Sequence, residues 1–154
     1  VVASIDAQID RLMAIIGDLA KPPATQEQLA QAAHRYGALP PQIWSFYSRL
    51  NGIREMTPVE HGAIRFWPIE TWAPVKMKAA LPTYADVSEL PIVGDYLIDC
   101  WWFAVDCIEG SPNFGAVLLI DGARPALIVA KSFAQFVQAV LDDDESLYPP
   151  AAAG

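Results

Sequence analysis

The sequence predicts an α+β domain: a central, mostly antiparallel sheet with flanking helices. Three observations predict it. Apolar residues recur at helical spacing through the opening segment, short branched and aromatic runs follow from Pro91, and one more helical stripe closes the chain. A chain of 154 residues fits one domain, taken here as 1–145, with 146–154 read as a flexible C-terminal tail.

The elements follow in order. Ile5, Ile9, Leu12, Ile16 and Leu19 step by four and three, so they share one face of a first helix. Lys21-Pro22-Pro23 ends it, because proline lacks an amide donor and restricts the residue before it. Thr25 with Gln28 makes a capping box for a second helix, whose inner stripe is Leu29, Ala32, Ala33 and Tyr36 and whose stop is Gly37. Pro40 and Pro41 suit the first turn of a third helix, and Ile43, Phe46, Tyr47 and Leu50 follow at i, i+3, i+4 and i+7. Asn51-Gly52 stops that helix.

Farther on, Ile64 and Phe66 fit a short strand, and Ile69 and Trp72 fit a turn of helix. Residues 76–90 carry no defined pattern. From Pro91 the runs Ile92-Val93, Tyr96 to Phe103, Gly115 to Ile120 and Ala126 to Ala130 read as successive strands, punctuated by Gly-Asp, Ser-Pro and Asp-Gly. Their similar length and the lack of long crossover helices favour antiparallel pairing. Ser132, with Gln135, caps a last helix lined by Phe133, Phe136, Val137, Val140 and Leu141. Asp142 to Glu145 then sit at the unfavourable end of its dipole and read as the start of a solvated tail.

Two longer motifs and one short one carry a family resemblance. The run from Leu39-Pro40-Pro41 through the helical Phe46-Tyr47 to Asn51-Gly52 resembles a signature segment of the SMI1/KNR4-like (SUKH) superfamily. Ile128-Val129-Ala130-Lys131-Ser132-Phe133 is similar to that family's closing strand and final helix, and Leu90-Pro91-Ile92-Val93-Gly94-Asp95 to the opening of its central strands. The resemblance covers residues 26–142 and departs from the family at Ile53, where a second glycine is usual. It implies a mixed fold of helices on a central sheet and a role as a protein-interaction module. Many members of that superfamily are immunity proteins that neutralise toxins; others are regulatory. The shared motifs are structural, so the resemblance carries no catalytic residues to this chain.

Charge and composition narrow the function classes. The net charge of −8 and ten scattered Lys and Arg residues, with no cluster beyond Lys76 and Lys78, argue against nucleic acid as a ligand. The same charge suits a basic protein partner. No apolar run approaches the roughly 20 residues that span a bilayer, and the opening residues lack a signal-peptide pattern, so a cytoplasmic location is expected.

No catalytic or metal set is legible. His34 falls within the second helix, Glu60-His61 lacks an i, i+4 histidine partner, and Cys100 and Cys107 have no further ligands at zinc spacing. No cofactor, no metal and no enzymatic activity are expected. Asp95, Asp99 and Asp106 surround an aromatic segment, and strand alternation puts Asp99 with Trp101 on one face and Cys100 with Trp102 on the other. One such face would pack on helices and the other would display aromatic surface rimmed by acid. The binding candidates are therefore Asp95, Asp99, Trp101, Trp102, Asp106 and Glu109. The expected function is a protein-binding module, concretely an immunity protein that occludes a basic toxin domain. Alternatives are a regulatory or scaffold domain, and a small enzyme or ligand-binding protein using an Asp-rich aromatic pocket.

Overall fold

The computed structural model describes residues 4–54, 64–79 and 83–150. Among them, helices α1 (Ile5–Ile16), α2 (Gln26–Tyr36) and α3 (Pro41–Tyr47) precede strands β1 (Ile64–Phe66) and β2 (Ala73–Pro74). Strands β3 (Pro91–Tyr96), β4 (Trp101–Val105), β5 (Val117–Ile120) and β6 (Leu127–Ala130) follow, and α4 (Phe133–Leu141) closes the fold. Every pairing is antiparallel in the order β1-β3-β4-β5-β6, with β2 also on β3. The sheet and its flanking helices make the α+β architecture the sequence predicts.

Local chemistry explains the helix ends. Thr25 accepts from the Gln28 amide at 3.0 Å and the Gln28 side chain accepts from the Thr25 amide at 2.9 Å, a complete capping box. At α4 the box is displaced. Ser132 accepts from the Gln135 amide, but the Gln135 side chain accepts from the amide of Lys131 instead of Ser132.

Alternation across the sheet sorts the core. Phe66, Phe103 and Leu119 stand in one cross-strand register on the helix-bearing face. There Phe66 meets Phe46 at 5.0 Å and Phe136 at 5.6 Å, and Phe103 meets Phe136 at 5.0 Å. Fully burying one such ring contributes about 1.5–3 kcal/mol. Helix α1 docks on α4 through Gln8, whose Nε2 donates to the Ala134 carbonyl at 2.9 Å. Residues 75–79 and 83–90 serve the opposite face. Their Tyr84 is buried, and its hydroxyl accepts from the Gly122 amide at 2.8 Å in the β5–β6 turn.

The Asn51-Gly52 motif is a structural clasp. Asn51 Oδ1 accepts from the Ile69 amide at 2.7 Å, and its Nδ2 donates to Glu70, which also binds Lys21 at 2.6 Å. Gly52 has φ +72°, and a Cβ there would lie 2.7 Å from backbone atoms of Phe66, Trp67 and Pro68. Only glycine combines that conformation with that approach.

Residues 146–150 are not the loose tail expected of 146–154. Asp144 caps a short 3-10 turn, Glu145–Leu147, whose Leu147 is wholly buried. Trp101 Nε1 donates to the Leu147 carbonyl at 3.1 Å, and Arg124 holds the Pro150 carbonyl at 2.6 Å. The strap docks because Leu147 and the Tyr148 ring give it apolar anchors that a Pro-Pro terminus does not advertise. Asp142 reaches Arg11 of α1 at 3.3 Å, which offsets its poor placement at the end of α4. Residues 151–154 lie outside the described residues.

Candidate functional site

The segment read as one strand from Tyr96 to Phe103 is a hairpin. Strand β3 stops at Tyr96, residues 97–100 turn, and β4 starts at Trp101. No Asn-Gly or Gly occupies the turn. Instead Leu97, Ile98 and Asp99 take φ values of +43°, +51° and +62°. A non-glycine residue in the left-handed region costs roughly 1–2 kcal/mol, and for β-branched Ile98 the conformation is a true outlier. At the tip Ile98 is 70% exposed and Leu97 38% exposed.

Contacts from outside the turn hold this strain. The Asp99 amide donates to Asp95 Oδ2 at 3.1 Å, and the Cys100 amide donates to the Tyr96 carbonyl at 3.0 Å. Asp99 Oδ1 accepts from Trp102 Nε1 at 2.7 Å, while its Oδ2 faces Lys78 Nζ at 3.4 Å. Below the turn Tyr96 and Trp101 pair across the strands with ring centroids 4.1 Å apart and planes 8° from parallel, and Tyr148 closes edge-on against both. Strained backbone over-determined by its surroundings is a frequent mark of a recognition element.

The six candidates do not form one site. Asp95 is 2% exposed and lies beneath the turn. Burial pushes its carboxyl above the usual range, against the Asp99 amide and the Arg65 guanidinium, which lies 3.9 Å from Oδ1. It supports the turn instead of meeting a partner. Asp99 belongs with Trp102, not Trp101, because the turn removes it from the strand alternation assumed for it. Trp101 is half-buried on the helix-bearing face and Trp102 half-buried on the other.

Asp106 and Glu109 sit beyond the far end of β4, roughly 15–20 Å away by strand rise. Both Asp106 carboxylate oxygens are engaged, Oδ1 by the Ile108 amide at 2.9 Å and Oδ2 by the Ser111 hydroxyl at 2.6 Å. Asp106 thus shapes its own loop, and Glu109 is left on that loop, exposed.

The remaining reactive groups are dispersed. Cys107 is buried and its thiol is pushed up to about 12, first by desolvation and then by Asp106. Cys100 is exposed, and its Sγ lies 3.2 Å from the Leu97 carbonyl. His34 is exposed on α2, while Glu60 and His61 lie outside the described residues. Among the described residues no three ligand-type side chains converge as a metal site would require. None of the described hollows is lined by Asp95, Asp99 or Asp106.

Compared with known proteins, the chain matches no family model, and no curated sequence matches it significantly. What it carries functionally is read from its own geometry. The tip carries no glycine or Asn-Gly, and of its three left-handed residues only Asp99 is of a type that tolerates that conformation, so the sequence does not announce the turn.

Proposed function

We propose that this chain is a non-enzymatic protein-binding module, most concretely a cytoplasmic immunity protein of the SMI1/KNR4-like kind that neutralises a toxin by steric occlusion. The observation that carries the reading is the β3–β4 tip: three consecutive non-glycine residues held at positive φ so that Ile98 stands in solvent. Exposed aliphatic side chains on a rigid support are suited to fill a partner's pocket without losing much conformational freedom on binding. The net charge of −8 supports a basic partner by steering its approach. Among the described residues no helix is long and apolar enough to cross a membrane.

An affinity capture from the native organism tests this, with the protein and its Ile98→Asp variant as parallel baits. Ile98→Asp adds a charge at an exposed position, so the variant keeps its fold by circular dichroism. The reading expects one stoichiometric polypeptide held by the parent and lost by the variant, with the captured polypeptide toxic when freed. A specific partner without toxicity transfers the module to regulation. Equal retention by both baits, or no specific partner, removes the tip from function.

A further inference from the structure

At the opposite edge of the sheet from β1 lies a second surface. Strand β6 is the terminal strand of the order, with no strand on its outer side among the described residues. Leu127 is 45% exposed and Ile128 41% exposed, on alternate faces of that strand. From Ala126 to Ala130 the edge carries no charged side chain, the usual guard against unwanted pairing. Among the described residues its guards are Pro125 and a bulge at Val129, where the register passes from Leu118↔Ile128 to Val117↔Ala130. These shorten the edge, so it takes one short strand and resists open-ended stacking.

A groove runs beside that edge. Leu127, Ile128 and Val129 form one wall, and Asp144, Glu145 and Tyr148 of the docked strap stand on the other, flanking an open hollow of about 600 Å³. Among the described residues two carboxylates and no basic side chain line it. Among the described residues Glu145 makes no ion pair; Asp144 spends one oxygen on the Ser146 amide.

We propose that the β6 edge receives an extended basic segment of a partner protein, which adds a strand to the sheet and places its lysine or arginine side chains in the acidic groove. In such augmentation, main-chain hydrogen bonds supply affinity and alternate side chains supply specificity. A second copy of this chain is the disfavoured occupant. Pairing two β6 edges would join bodies of net charge −8 and carry their acidic grooves together. The inference stands on the edge strand and not on the β3–β4 tip, so either can fail alone.

The probe is a short blocked peptide alternating valine with lysine. It is compared with a version carrying glutamate for lysine and one with a central proline. Calorimetry measures binding, and amide hydrogen exchange locates it. The lysine peptide is expected to bind saturably, slow exchange within Leu127–Ala130, and weaken as salt rises. Proline should abolish binding, because it removes a ladder donor. Glu145→Lys, at an exposed position, should weaken the lysine peptide by about tenfold and admit the glutamate peptide. Absence of saturable binding, indifference to proline or charge, or protection elsewhere overturns the proposal. So does a dimer in sedimentation whose β6 amides are already protected, since the edge then belongs to a second copy.

Discussion

Replacing Ile98 by glycine removes a side chain and, with it, the Cβ that makes φ +51° unfavourable. Relief of the left-handed conformation is worth about 1–2 kcal/mol. Against it stand roughly 0.5–1 kcal/mol for the greater freedom of glycine in the unfolded chain and about as much again for lost burial, because Ile98 is already 70% exposed. The terms nearly cancel, so Ile98→Gly should leave stability within about 1 kcal/mol of the parent. Ile108 supplies the control, being 52% exposed without a positive φ. Ile108→Gly has no strain to release and should cost about 1–2.5 kcal/mol. Urea unfolding followed by tryptophan emission measures both, with the m-value checked for constancy. If the two variants lose the same stability, the tip is not strained and Ile98 is a packing residue. The argument for a recognition element then fails with it.

Other perturbations probe the scaffold around the tip. Asn51→Ala orphans the buried Ile69 amide and strips one donor from Glu70, and should cost about 2–4 kcal/mol in the same urea assay. Gly52→Ala sets a Cβ 2.7 Å from three backbone atoms at φ +72°, and should cost about 3 kcal/mol or more, read as a collapse in melting temperature. Carboxyl titration by carbon NMR should separate two groups by sign. Burial holds Asp95 above 3.8, so its ionisation opposes folding increasingly as pH rises through the folded value and the opposition is relieved in acid. Burial also acts to raise Glu70, but bonds from Lys21 and Asn51 outweigh it and hold the carboxyl below 4.5. Its contribution is therefore full above pH 4.5 and lost as pH falls through the lowered value; Lys21→Met should move that midpoint upward. Trp101→Phe deletes the bond to the Leu147 carbonyl and should speed proteolysis at residues 148–150 severalfold while the core melts within about 1 kcal/mol of the parent.

How much of this was legible depends on the range of the interaction. The sequence alone determined that four helices form and placed the Thr25 and Ser132 caps, because each rests on partners three or four residues apart, although α3 ends at Tyr47, before the Asn51-Gly52 stop expected of it. It also placed Asn51-Gly52 as a backbone device and β1 at Ile64 and Phe66. It did not reveal that the run from Tyr96 to Phe103 folds back on itself. Leu97 and Ile98 have no preference for positive φ, and the turn is fixed through Asp99, which tolerates it and is engaged by Asp95, Trp102 and Lys78, the last of them from a segment with no readable pattern. Nor did it separate the acidic candidates, since Asp95 is buried only once β1 covers it and Asp106 is drawn into its own loop. The exposure of Leu127 and Ile128 is the clearest case. Their composition suits a buried strand, and they face solvent because strand order places β6 last. Strand order is settled by pairings between segments distant in the chain. Only the tertiary structure decides it.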